Sequence, residues 1–168
     1  GGGTVLVITV LDQTKTIDGV TTRIVEERET SRGELKEVSQ NYFACDRTTG
    51  DVYYFGEDVD IYKAGKIVEH EGAWRSGVDG AHFGLMMPAK PAVGQKFYQE
   101  LAPGKAMDRI EIVSVDASLT TPAGAFANCV RVKETSPLER GSAEKWFAPS
   151  VGLVKDDETA LVSVDPSQ

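Results

Sequence analysis

The sequence predicts an all-β protein. Apolar residues recur with period 2 almost throughout, and strand-sized segments are punctuated by Gly, Asp-Gly or Pro. No segment of ten or more residues carries the 3.6 periodicity of a helix. About nine or ten strands joined in order by short turns make an antiparallel meander. At 168 residues such a meander curls into a barrel or half-barrel to hide its edges, with a two-sheet sandwich as the alternative.

The elements follow in order. Residues 4–11, TVLVITVL, are nearly all apolar and β-branched, which predicts a central strand buried on both faces. Asp18-Gly19 is a hairpin signal, because both residues tolerate the positive φ of a tight turn. Strands are expected over 20–30 and 35–45, separated by Ser31-Arg32-Gly33 and followed by the turn formers of residues 46–50. Residues 51–74, DVYYFGEDVDIYKAGKIVEHEGAW, read as two long strands folded back through Lys63-Ala64-Gly65. Residues 75–94 break the rhythm with four glycines and two prolines around Phe83-Leu85-Met86-Met87. They are expected to form a long irregular loop that caps the sheet or contacts a ligand. Further strands are expected over 95–101, 107–116, 126–134, 143–147 and 160–164, the whole forming one domain with a lipocalin-like curl.

Composition narrows the partners. The formal net charge is −8 and basic residues stand singly among acids, which argues against nucleic acid or an anionic membrane surface. No apolar run reaches the length of a membrane span. The Gly1-Gly2-Gly3 start runs straight into a strand and reads as a mature or trimmed N-terminus. Cys45 and Cys129 fit either one disulfide or two buried thiols, and Cys129 within a strand reads as a core thiol.

Candidate chemistry centres on the 51–74 hairpin. Glu57 shares the odd parity of Tyr53, Phe55, Val59 and Ile61, so it is expected on the apolar face unless a bulge at Gly56 turns it outward. His70 shares the parity of Val68 and Trp74 on the returning strand. A Glu57–His70 pair inside an apolar cup would serve as general acid and base, or as two ligands of a divalent metal. Further donors would come from Asp58, His82 or Glu100. Clustered Glu57, Asp58 and Asp60 otherwise read as a solvated strand end, since no calcium-loop pattern is present. No nucleophile elbow, dinucleotide fingerprint, phosphate loop or zinc-protease motif occurs, so positive signs of an enzyme are few and no cofactor is called for. Tyr42, Tyr54, Trp74, Phe83, Met86, Met87 and Tyr98 are expected to line or close a cavity for a small apolar or lipid-like molecule.

Two segments carry a resemblance. One is TPAGAFANCVRVKET (121–135) followed by EKWFAPSVGLVKDD (144–157). The other is YFGEDVDIY (54–62) with the stretch from His70 to Gly104. Together they resemble a family of bacterial exported, often lipoprotein-type, β-rich envelope proteins, over most of the chain beyond Thr4. Members of that family begin further upstream, with an aromatic and Pro-Gly segment that Gly1-Gly2-Gly3 replaces here. The resemblance implies an extracytoplasmic location, periplasmic or secreted, and no particular activity. Three functions are therefore expected: an extracytoplasmic binding domain, an acid/base or metal enzyme at Glu57 and His70, or a structural and interaction protein of the envelope.

Overall fold

The computed structural model describes residues 3–165. Gly1 and Gly2 lie outside them, and with them the reading of the glycine-rich start. The described residues form fourteen strands and no helix. The expected all-β class is what the chain adopts, and every ladder is antiparallel. The strands divide between two sheets and close no barrel among the described residues, which fits the two-sheet alternative.

The chain groups into two compact units. One comprises Gly1–Ala89 and Gln99–Met107, the other Lys90–Tyr98 and Asp108–Gln168. The first carries β1 (Thr4–Ile17), β2 (Val20–Ser31), β3 (Glu34–Cys45), β4 (Val52–Lys63), β5 (Lys66–Glu69), β6 (Trp74–Arg75), β7 (His82–Met87) and β9 (Glu100–Leu101). Their order is β1-β2-β3-β4-β7-β9, with β5 and β6 also on β4. The second carries β8 (Lys96–Tyr98), β10 (Arg109–Thr121), β11 (Gly124–Thr135), β12 (Ala143–Ala148), β13 (Gly152–Asp156) and β14 (Thr159–Ala160), ordered β14-β13-β12-β11-β10-β8.

Three expectations are corrected. The apolar run 4–11 is not a buried central strand. Among the described residues β1 pairs only with β2, and Val5, Val7, Ile8 and Val10 are exposed. A continuous apolar run signals burial only where strands flank it on both sides, and here one side is open. The 75–94 stretch is not structureless, because His82–Met87 adds to the sheet beside β4. The expected 95–101 strand is two short ones: β8 pairs β10 in the second unit, whereas β9 pairs β7 in the first.

The first sheet buries both faces of β4. Tyr54, Trp74, Ala81, Ala102 and Ala106 pack on one side with Phe43 and Met86, and Ile17, Ile24, Tyr42 and Phe55 pack on the other with Tyr53. The sheet also curls. The Ser76 hydroxyl after β6 donates to Asp18 in the β1–β2 turn at 2.8 Å. The second unit packs Ile110, Ile112 and Val132 together, and Cys129, Ala148 and Val154 beside them. β12 and β13 form the bend expected at Pro149 and Gly152. Neither cysteine is bridged: Cys45 is exposed and Cys129 is buried, its thiol pushed up by burial.

Candidate functional site

The site grows from one irregularity in β4. Asn41 of β3 stands opposite Glu57, but Phe43 stands opposite Tyr54, so β4 holds an extra residue between them. Gly56 supplies it, at φ +126°, where an L side chain is strained. A Cβ at Gly56 would strike the Trp74 carbonyl oxygen and lie 2.8 Å from the Arg75 Cα, so glycine lets β6 approach β4 closely. The bulge reverses parity. Tyr54 joins Glu57 and Val59 on the face of Trp74, while Tyr53 and Phe55 move to the face of Tyr42.

On the Tyr42 face, Asp58 collects three donors. Lys15 Nζ lies 2.8 Å from Oδ2, the Tyr42 hydroxyl donates to Oδ2 at 2.7 Å, and Arg75 grips the carboxylate through Nε at 3.0 Å and Nη2 at 2.6 Å. Lys15 Nζ also donates to the Tyr42 oxygen at 3.0 Å. Partial burial alone would raise the Asp58 carboxyl, but the bonds from Lys15, Tyr42 and Arg75 together outweigh it and hold it down at about 2. Burial likewise opposes the Lys15 charge and is outweighed by Asp58 and Tyr42, so the ammonium is stabilised. Burial pushes the Tyr42 phenol up, and the Asp58 carboxylate adds to this. A carboxylate so fully engaged is a clamp, with little capacity left to act as base or metal ligand.

Beside Asp58 opens a cleft of about 230 Å³, lined by Ala73, Trp74, Arg75, Val78, Ala81, Ala102 and Pro103 with Asp58, Asp79 and Lys105. Two tight turns build its walls. Gly77 N–H donates to the Ala81 carbonyl at 2.9 Å and Ala81 N–H to Val78 at 2.9 Å, a turn that needs positive φ at Gly77, Asp79 and Gly80. Across from it, Ala102 and Ala106 exchange backbone bonds of 2.8 and 3.0 Å around Pro103-Gly104. Lys105 Nζ reaches Asp79 at 3.3 Å and ties the two turns. Trp74 is 3 % exposed and packs edge-on to Tyr54 at 5.4 Å. Its Nε1 is buried and has no hydrogen-bond partner among the described residues.

The residues singled out by sequence fall apart in space. Glu57 is half-buried beside Trp74 and Asn41. His70 is not on the apolar face. The chain leaves β5 at Glu69 and turns, and the imidazole stands mostly exposed, with Nδ1 2.8 Å from the Val59 carbonyl and 3.0 Å from Asp60. His82 is exposed on β7. No group of three His, Cys, Asp or Glu able to hold a metal occurs among the described residues, so Glu57, Asp58, His70 and His82 do not assemble the expected metal set. Tyr42 and Phe83 lie on one face of the first sheet and Tyr54, Trp74 and Met86 on the other, so they line no single cavity. Met87 ends β7 opposite Val52, and Tyr98 belongs to the second unit, opposite Arg109. Tyr54 donates to Asn41 Oδ1 at 2.5 Å, and burial pushes its phenol well up, with Glu57, Glu100 and Glu27 adding to the effect.

Of the cleft, sequence reasoning had Trp74 and Asp58 as single residues, and Arg75, Val78, Asp79 and Ala81 only as part of the 75–94 stretch. Arg75, Asp79 and Lys105 looked like scattered charges, and Lys15 lies 43 residues from its partner. The only local signals were the small residues and turns at Val78-Asp79-Gly80-Ala81 and Ala102-Pro103-Gly104. No family model, curated protein or solved structure matches the chain.

Proposed function

We propose that the protein is an extracytoplasmic binding domain whose first unit takes a small, largely apolar molecule in the cleft between the 76–81 and 102–106 turns. One observation supports the reading: two tight turns hold open a cleft walled by Ala73, Val78, Ala81, Ala102 and Pro103 beside the buried Trp74. Alanine, valine and proline walls suit an apolar body. At about 230 Å³ the cleft is smaller than the roughly 300 Å³ where drug-sized pockets begin, so a compact molecule fits better than a lipid chain. The extracytoplasmic placement rests on the resemblance to exported envelope proteins.

Mass spectrometry of material co-purified with the protein, with melting-temperature shifts over a panel of small molecules, tests this. A ligand at a hundred times its Kd stabilises by about 2.7 kcal/mol. Protein that carries nothing and shifts with nothing overturns the reading. That outcome would favour a structural or interaction protein of the envelope, a second reading that draws on exposed Val5, Val7, Ile8 and Val10 of the edge strand β1.

A further inference from the structure

Strand alternation in the second unit sorts charges that look scattered along the chain. Asp108, Glu134 and Asp156 gather around Lys145, on the face of Ile112 and Val132. The opposite face receives Lys96, Arg109, Arg131, Lys133 and Lys155. There Lys96, Glu111 and Lys133 stand in one row across β8, β10 and β11, and Arg109 stands opposite Thr135 in the next row. These five residues line a groove of about 290 Å³ that lies wholly within the second unit.

Carboxylates do not balance this groove. Glu111 is the one acid lining it, and Lys96 Nζ holds it at 3.2 Å. Glu144, the register partner of Lys133 on β12, is taken by Arg131 at 3.7 Å and by the Trp146 indole N–H at 2.8 Å. Among the described residues Lys133 therefore makes no ion pair, and neither does Arg109, whose Nη2 reaches the Thr135 hydroxyl at 3.5 Å. Three cations face one carboxylate, a local excess of positive charge in a chain whose net charge is −8. Arg109 and Lys133 are diagonal neighbours on adjacent strands, and like charges so placed repel until an anion sits between them. Arg109 offers a planar fork of donors, the lysines point charges and Thr135 a hydroxyl, a set that suits a tetrahedral oxyanion. A carboxylate would offset only part of the excess, whereas a phosphate monoester carries about −1.5 to −2 at pH 7 and matches it.

We infer that this groove binds a dianionic phosphate group, free or carried on a small molecule, with Arg109 and Lys133 holding its oxygens. The site is separate from the cleft of the first unit and stands or falls independently of it.

Amide shifts of the ¹⁵N-labelled full chain test this. Phenyl phosphate, inorganic phosphate, benzenesulfonate and benzyl alcohol are each titrated at low salt and pH 7 to about 50 mM, since so few atoms bind in the millimolar range. The expected result is a saturable shift of the Lys96, Arg109, Glu111, Lys133 and Thr135 amides with both phosphates. Tighter binding of phenyl phosphate supports the site with an organic monoester as its ligand, and equal binding supports it with the free ion. Benzenesulfonate keeps the ring and the tetrahedral head but carries a single charge, and it should bind about tenfold more weakly. Arg109 and Lys133 are exposed, so substituting them spares the fold. Lys133→Met and Arg109→Gln should each weaken phenyl phosphate roughly tenfold. Glu111→Gln removes the competing carboxylate and should tighten it about threefold. Lys155→Met, two strands away from β11, should change it by less than about twofold. Groove amides that neither phosphate moves overturn the site. Benzenesulfonate or benzyl alcohol binding as tightly as phenyl phosphate overturns the dianionic class. Affinity unchanged in both Lys133→Met and Arg109→Gln overturns the assigned contacts.

Discussion

Lys15 and Asp58 sit on β1 and β4 with two strands between them, yet ammonium and carboxylate meet at 2.8 Å. Adjacent strands lie about 4.8 Å apart, so a flat sheet would hold these backbones roughly 14 Å from each other. Two side chains close that span only because the sheet curls toward the Tyr42 face, where Asp58 also binds the Tyr42 hydroxyl and Arg75. The network thus records the curvature of the first sheet and fixes Arg75, a wall of the cleft.

Asp58→Asn should therefore destabilise the first unit. It leaves Lys15 and Arg75 without their counter-charge, at a cost of about 1 kcal/mol after allowance for groups more than a third exposed. The Asp58 carboxyl is lower folded than unfolded, so its contribution is present above pH about 4 and is lost as pH falls through about 2. Urea melts between pH 5 and 2 should show a steeper loss in the parent protein than in Asp58→Asn.

Gly56→Ala should be far more harmful than its size suggests. The added carbon meets the β6 backbone, which cannot swing aside as a flexible side chain would, at a φ that alanine avoids. A loss of about 2–4 kcal/mol is expected in denaturant melts. A change below about 0.5 kcal/mol would contradict the bulge.

Val7→Lys should cost almost nothing, within about 0.5 kcal/mol, because Val7 is 51 % exposed on an edge strand. A buried central strand would lose several times as much. Solubility at high concentration should rise, since a lysine on an open edge blocks strand addition.

In the second unit, Lys145 holds Glu134 at 2.9 Å and Asp156 at 3.8 Å. Burial already pushes both carboxyls up in spite of the lysine. Lys145→Met should cost about 2 kcal/mol at pH 7 by leaving two carboxylates half-buried and near each other. Both acids then sit higher folded than unfolded, so the variant should regain stability as pH is lowered through their folded values. Melting temperature against pH, parent beside variant, reads this directly.

Thiol titration separates the cysteines. Cys45 should react with a disulfide reagent in the native protein, and buried Cys129 only on unfolding. Equal native reactivity would contradict the packing around Cys129.

Much of the fold was legible locally. Alternation of apolar residues located the strands of 20–31, 34–45, 52–63 and 124–135 to within a residue or two, because side-chain direction in a strand depends on the neighbouring residues alone. Turns at Asp18-Gly19 and Ala64-Gly65 were equally local, and both pairs adopt positive φ. Gly56 was legible as a possible bulge, but its consequence was not. Parity counted across it put Tyr53 and Phe55 with Glu57, and one inserted residue sends them to opposite faces.

What the sequence determined alone is the class: antiparallel β, acidic, with turns where glycine and aspartate permit them. Tertiary structure decided the rest. Whether the apolar run of β1 is buried depends on how many strands flank it, and whether His70 faces the core depends on where β5 ends. Whether Asp58 is a solvated acid or a clamp depends on curvature that brings Lys15 to it across three strand spacings. Periodicity encodes which way a side chain points, whereas the cleft is made by what lies opposite, and no local pattern holds that information.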